Sequence, residues 1–342
     1  MKIACFSSFT FTYLDRARVL FETVGRHCPG WRRIALITDK PPPGVEFRLE
    51  DEPFDEVVWA EDLGLPDFSS WIFKHDVVEA CTAVKGPFLD QLCRQGEADG
   101  IVYLDPDIAV FSSLAPIEQR LQEADILVTP HIVEPNQTRD AILDNDISAL
   151  RTGVFNLGFV AVRSTGEGAK FAAWWARMLK DWCYDDIPAG LFTDQRWIDH
   201  LPSFFDNYAV IRDPGFNVAS WNISTRPVRI GQDGQITVAG VPLRFWHFTK
   251  LGPLGDAMTQ KYAGDNFAVY EIWDWYRRRV AAHRLEGCPP RYWAYGAYAD
   301  GAPIQRAHRQ LYRARPDLQA AFPDPFDPAG YRTWLAGQDA AA

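Results

Sequence analysis

Residues 101–111 read IVYLDPDIAVF. An apolar run climbs to two aspartates one residue apart, Asp105 and Asp107, and then turns apolar again. An apolar run without alternation suits a central strand buried on both faces of a parallel sheet. Two carboxylates at the end of such a strand repel each other, and each costs free energy to desolvate. A cation held between them removes both objections. The stretch therefore sets two expectations: an α/β fold with 101–105 as an inner strand, and a divalent-cation site at that strand's carboxyl end.

The flanking sequence supports the fold class. Residues 2–8 (KIACFSS), 33–39 (RIALITD) and 56–63 (EVVWAEDL) read as strands. Between the first two, Leu14, Ala17, Leu20, Phe21 and Val24 recur at helical spacing, with Thr12 and Asp15 placed as a capping box. Residues 69–96 predict a helix in two pieces, broken at Gly86-Pro87 and capped by Gly96. Strand and helix alternate over the first hundred residues, as in a mostly parallel sheet with helices on both faces. In such sheets ligands bind outside the carboxyl ends of the strands, and Asp105 and Asp107, like the Ser7–Tyr13 turn, fall at such ends.

Further strands are expected at 126–130, 154–163 and 242–249, a strand followed by a loop over 209–222, and helices at 168–182 and 191–205. After Gly252 the pattern changes to an aromatic helix over 265–283. A Pro-, Arg- and aromatic-rich tail follows, with a short helix near 303–314. This divides the chain into a main domain, 1–255, and a helical extension, 256–342, packed on it.

The chain has 342 residues and a formal net charge of −10, which argues against a general nucleic-acid binder. Its charge is uneven. Residues 46–67 are acidic, whereas 276–315 carry nine arginines from Arg277 to Arg315. That basic stretch is either a solvated helix face or a surface for an anionic, membrane-associated acceptor. The six cysteines show no CxxC pair, so a reducing compartment is expected. The amino terminus reads as a strand rather than a signal peptide, and no window is long enough for a membrane span. The expected location is the cytoplasm, with peripheral contact at the inner membrane face through the arginine-rich region.

Asp-x-Asp by itself has three readings. It can be a turn, and a second instance at Asp144/Asp146 shows how common the pattern is. It can be the nucleophile–acid pair of a haloacid-dehalogenase-like phosphatase, although Ala109 stands where Thr or Val is expected. It can be a clamp in which Mg²⁺ or Mn²⁺, hard cations that take oxygen ligands, neutralises a nucleoside diphosphate leaving group.

Four segments in order bear on that choice: YLDPDIAVF, FNLGFVAVR, FTDQRWID and FWHFTKLGPL. Together they resemble the motifs of nucleotide-sugar glycosyltransferases of the GT-A fold, in particular the retaining glycogenin- and lipopolysaccharide galactosyltransferase-like group (family eight), over residues 1–255. The resemblance implies a GT-A, Rossmann-like, mixed but mostly parallel sheet flanked by helices. It implies Mn²⁺ or Mg²⁺ on Asp105, Asp107 and His247. It implies a UDP-sugar or similar donor contacted by Ser7, Tyr13, Lys85, Asp105, Asn156, Gly158 and Lys250. Asp194 and Gln195 would sit under the anomeric carbon. Asn217, Trp221 and Asn222 would form an acceptor wall for a glycan or lipid-linked acceptor, with transfer under retention. The sequence departs from the group after His247, where Lys250 follows within three residues and the Gly-x-x-Lys-Pro-Trp pattern is absent.

Each residue also has a plainer reading. His247 can be a satisfied core histidine, Asp194 a helix cap, and Asn156 a turn amide. Lys85 can be a helix end, Tyr13 core or cap, and the Asn and Trp residues loop structure. A non-catalytic nucleotide-sugar-binding module is the remaining alternative to transfer.

Overall fold

The structure, a computed structural model, describes residues 1–339, so the last three residues of the expected extension lie outside it. The strands are β1 (Ile3–Phe9), β2 (Arg32–Ile37), β3 (Glu56–Trp59), β4 (Gly100–Leu104), β5 (Ile108–Val110), β6 (Ile126–Pro130) and β7 (Phe155–Arg163). They continue with the short β8 (Asp185–Asp186) and β9 (Leu191–Phe192), then β10 (Tyr208–Val210), β11 (Val228–Ile230), β12 (Ile236–Val238), β13 (Val241–Pro242) and β14 (Phe245–His247). Seven of them form the central sheet in the order β10-β6-β7-β4-β1-β2-β3. All neighbours run parallel except β7, which is antiparallel to both β4 and β6. The expected mixed, mostly parallel α/β sheet flanked by helices is therefore present.

Alternation along the inner strands divides the core. On one face Phe6, Ile101, Tyr103, Val128 and Val160 pack with Phe88, Leu92 and Trp175 from helices. On the other, Cys5, Val102, Leu104, Leu127 and Phe159 pack with Leu20, Val24 and Ile117. Successive side chains of a strand point to opposite faces, and β1 and β4, covered on both, are buried at every position.

Several local expectations need correction. Helix α1 (Leu14–His27) has no side-chain cap: the Thr12 hydroxyl bonds Thr10 at 2.8 Å, while Asp15 accepts from the Arg16 amide. The reciprocal capping box belongs instead to Asp76 and Glu79. Residues 68–95 form three helices, α2 (Phe68–Phe73), α3 (Val77–Ala83) and α4 (Lys85–Gln95), and Gly86-Pro87 opens α4 rather than breaking it. Proline is tolerated in a first turn, where its missing N–H has no helical partner. Gly86 is required because a Cβ there would lie 2.9 Å from the Ala176 backbone in the crossing helix Gly166–Trp182. The expected helix over 191–205 is a 3₁₀ turn, Arg196–His200, followed by a four-residue helix, Leu201–Phe204. Gly96 does cap α4 in the left-handed conformation.

Helices Pro253–Ala263 and Phe267–Ala282 follow β14, and Ile272, Trp273 and Tyr276 pack on Trp246 and Phe248. The chain then returns across the β2 end, where Trp293 Nε1 donates to the Thr38 carbonyl and the Ala294 amide to Asp39. Much of the arginine excess is engaged internally. Arg309 is buried and donates to the carbonyls of Phe73, His75 and Tyr295. Arg313 packs over Tyr184 beside Glu79, and Arg279 pairs with Glu22. All six cysteines are free. Among the described residues no helix is long and apolar enough to cross a membrane.

Candidate active site

The site forms where β4 ends. Asp105 and Asp107 follow β4, and the chain enters β5, which pairs antiparallel with β14 and sets Ile108 opposite His247. That single register brings a histidine from 140 residues further along the chain onto the carboxylates. His247 Nε2 lies 3.0 Å from Asp107 Oδ1 and 3.6 Å from Asp105 Oδ2. One ligand atom from each of the three residues falls within 4.8 Å of the others, a set that one cation can gather.

The imidazole's orientation follows from carbonyls, which can only accept. His131 Nδ1 faces the Val154 carbonyl at 3.3 Å and must carry the proton, leaving Nε2 to accept from Asn156 Nδ2 at 3.2 Å. Gln195 Nε2 donates to the Thr152 carbonyl at 2.9 Å, so Oε1 accepts from the Leu157 amide at 3.3 Å and from Asn156 Nδ2 at 3.4 Å. Asn156 is thereby oriented with Oδ1 toward His247 Nδ1, 3.2 Å away. His247 Nδ1 is then the donor, and Nε2 is the atom aimed at the carboxylates, as metal-ligating histidines are oriented.

Electrostatics agree with this reading. Burial pushes His247 down, but Asp107 and Asp105 push harder, and its pKa lies above the usual value. Burial raises Asp107, and His247 beside it brings the carboxylate below its ordinary range. The carboxylates that favour positive charge on the imidazole would equally favour a cation held among the three residues.

Lys85, at the first turn of α4, supplies the second half of the centre. Its Nζ donates to Asp194 Oδ2 at 2.9 Å, Asp105 Oδ1 at 3.0 Å and the Leu157 carbonyl at 3.3 Å, and lies 4.2 Å from the Tyr103 ring centroid. Burial lowers the lysine's pKa, but Asp105 and Asp194 more than reverse this, so it stays charged. Asp194 is also buried, which raises its carboxyl against the opposing pull of Lys85. Thr193, held at φ 45°, aims its hydroxyl at Asp194 Oδ1 at 3.1 Å. Tyr103 donates to Asp105 Oδ1 at 2.6 Å.

A cavity of about 210 Å³ opens beside these groups, between the turn after β1, α3 and the carboxylates; Tyr13, Lys85, Asp105 and Asp107 line it. Tyr13 is 39% exposed, with the Arg16 guanidinium 4.2 Å from its ring. Ser8 lines the cavity, not Ser7, which is fully buried in β1 with its hydroxyl unpartnered. A one-residue step along a strand reverses the face, which corrects the expectation for Ser7.

Other expected residues have different surroundings. Gly158 serves the histidine: a Cβ there would lie 2.5 Å from His247 Cε1, and its carbonyl accepts from the Asp105 amide at 2.8 Å. Asn217, at φ 51°, and Asn222 are buried within their own loop. The Asn222 amide bonds the Asn217 and His131 carbonyls and accepts from the Ala219 amide. Neither is free to face an acceptor; of the three, Trp221 alone presents its ring to the site, edge-on to His247 at 5.3 Å. Lys250 is exposed at φ 57°, and its side chain has no hydrogen bond or ion pair among the described residues.

No family model matches this chain. The uncharacterized protein YfnD of Bacillus subtilis strain 168 is 25% identical over 244 residues, covering 70% of this chain and 74% of YfnD. The galactosyltransferase LgtC, solved with donor and acceptor sugar analogues, aligns over 84% of this chain and 97% of its own at 15% identity, with a TM-score of 0.43. Mouse xyloside xylosyltransferase 1 aligns over 74% of this chain and 98% of its own at 12% identity, with a TM-score of 0.41. The glycosyltransferase GlyE of Streptococcus pneumoniae TIGR4 covers 82% of this chain and 64% of its own at 15% identity, with a TM-score of 0.40.

Two residues of the centre escaped the sequence reading. Tyr103 carried a usable signal, since a buried tyrosine in an aliphatic strand needs a partner for its hydroxyl and shares a face with the residue two positions on. His131, just past β6, carried none: its role depends on the shift in register between β6 and β7 that sets Thr129 opposite Asn156.

Proposed function

We propose that this chain is a metal-dependent glycosyltransferase of the GT-A type. It transfers a sugar from a nucleoside diphosphate sugar, with UDP as the nucleotide, to a glycan or lipid-linked acceptor with retention of configuration. One observation carries the reading. The β5–β14 pairing delivers His247 Nε2 to Asp105 and Asp107 in the tautomer that can ligate, beside a cavity at the carboxyl ends of β1 and β4. An Asp-Asp-His set whose buried imidazole is oriented by an amide suits a resident Mn²⁺ or Mg²⁺ better than a turn does. Such a cation supplies positive charge to the departing diphosphate.

The chain's own groups have distinct parts. Asn156 holds the His247 ring, and Lys85 fixes Asp105 and Asp194 relative to one another. Asp194 places negative charge in a buried setting, where it stabilises a sugar that becomes cationic as its bond to the diphosphate breaks. Gln195, tied to Thr152 and Leu157, keeps Asn156 in register. Tyr13 stacks on the base, Lys250 swings to the phosphates, and Trp221 faces the acceptor. The acceptor hydroxyl attacks from the leaving-group side, and its proton passes to the diphosphate. The transferase unit is residues 1–255, buttressed by the helical extension and working in the cytoplasm.

The test is calorimetry of UDP binding with and without Mn²⁺, on the full chain and on Asp107→Asn. Binding that needs the metal and is lost in the variant is the expected result. Release of phosphate from aryl phosphates, with no affinity for UDP or another nucleoside diphosphate, would replace the transferase by a phosphatase. Nucleotide binding without sugar transfer or donor hydrolysis would reduce it to a binding module.

A further inference from the structure

A second cleft, of about 810 Å³, lies between the last turn of α1, the chain leaving β5, the β11–β12 hairpin and helix Phe267–Ala282. It is distinct from the donor cavity: β5 leads from Asp107 to Phe111 on its wall, about 13 Å at the usual rise per residue. Its volume falls within the range of about 300–1,000 Å³ typical of ligand sites.

The lining mixes aromatic, aliphatic and polar side chains. Phe111 and the half-buried Trp275 contact each other, with ring centroids 5.0 Å apart. Around them, Arg26, Glu271 and Gln235 have side chains with no hydrogen bond or ion pair among the described residues. Arg244 donates through Nη1 to the Ser113 carbonyl at 2.9 Å, but its Nε is buried without a partner. A buried guanidinium N–H left unpaired costs free energy unless a ligand or water accepts from it. Aromatic faces beside the unengaged Arg26 fork and hydroxyl-matching groups suit sugar rings, whose C–H faces are apolar and whose edges are polar. Guanidinium forks also match a carboxylate in a bidentate manner.

We propose that this cleft binds an acidic oligosaccharide, one carrying carboxylate sugars, with Trp275 beneath a ring and Arg26 and Arg244 toward a carboxylate. Binding stands on the cleft alone. That the bound chain is the distal part of the acceptor, held a short oligosaccharide's reach from the donor cavity, rests on the transferase reading.

Calorimetry on the full chain, with tetragalacturonate as the acidic probe and maltotetraose as the neutral one, tests the proposal. The acidic probe should bind, and the neutral one should bind at least about tenfold more weakly, as the loss of one charge-assisted contact implies. Arg26→Glu, a change at an exposed position, should weaken the acidic probe by about tenfold or more, because it replaces attraction by repulsion. Its affinity for UDP with Mn²⁺ should stay unchanged. Trp275→Leu should weaken the acidic probe, with near-ultraviolet circular dichroism confirming the fold. No binding of the acidic probe at millimolar concentration, equal binding of both probes, or unchanged binding in Arg26→Glu would each overturn the proposal. Oligosaccharide binding in a chain that binds no nucleoside diphosphate would leave the cleft assigned and remove its acceptor role.

Discussion

Among the described residues Lys85 is the only charge that compensates Asp194 at hydrogen-bond distance, and Lys85→Met removes it while keeping the length of the side chain. Lys85 and Asp194 have side chains only 3% and 4% exposed and meet at 2.9 Å, whereas Asp105, the lysine's other partner, is 25% exposed and can be rehydrated. The cost therefore falls on Asp194, left as an unpaired buried carboxylate, and amounts to about 3–5 kcal/mol. With an unfolding entropy of about 2.1 cal/mol/K per residue over 342 residues, this lowers Tm by roughly 4–7 °C. The loss should depend on pH. Burial already raises the Asp194 pKa, and without Lys85 it rises further, so the variant takes up a proton as the solution is acidified. Below that new pKa the deficit shrinks by about 1.4 kcal/mol per pH unit. The lysine's own raised pKa does not confuse the comparison, because its contribution is fully present below 10.5 and is lost only at higher pH. Calorimetric melts of wild type, Lys85→Met and Lys85→Met/Asp194→Asn at pH 8 and pH 5 measure both effects, and the double variant should recover most of the loss. A Lys85→Met protein melting within about 1 °C of wild type at pH 8 would refute the paired-charge account of the centre.

Gly158→Ala replaces no ligand, yet its Cβ would lie 2.5 Å from His247 Cε1 and 2.9 Å from Asn156 Oδ1; Mn²⁺ affinity should fall about 10–100-fold in a direct titration, and unchanged affinity would remove Gly158 from the centre. His75 is fully buried and held to a pKa of about 3, so its neutral form is fully stabilising above its unfolded pKa of about 6.5 and stability falls by about 1.4 kcal/mol per pH unit below that. In His75→Phe the slope of stability against pH between 6 and 4 should be shallower by that amount, and identical slopes would contradict it. Arg309→Met strands the Phe73, His75 and Tyr295 carbonyls at a cost of about 3 kcal/mol and should expose residues 284–339 to early proteolysis; a digestion pattern like that of wild type would show that the extension is held by other contacts.

Local pattern carried the framework. The unbroken apolar run before Asp105, the strand–helix alternation of the first hundred residues and the left-handed cap at Gly96 depend on neighbours within a few positions, and they were legible without coordinates. The Asp105–Asp107 pair was legible for the same reason, as charge placed at the end of a buried strand. Segments governed by tertiary crowding misled. Gly86-Pro87 looks like a break, and is instead the clearance that lets α4 approach the helix Gly166–Trp182. Residues 191–205 look amphipathic, and instead wrap Asp194 and Gln195 around the site in turns. What only the tertiary structure decided is which partners meet. His247 reaches the aspartates through the register of β5 on β14, Asn156 is oriented by His131 and Gln195, which the Val154 and Thr152 carbonyls fix, and Lys85 finds Asp194 across 109 positions. A periodic pattern specifies which face of an element is buried. It does not specify which residue of a distant element stands opposite, because that depends on strand register and helix position, set by the packing of the whole core.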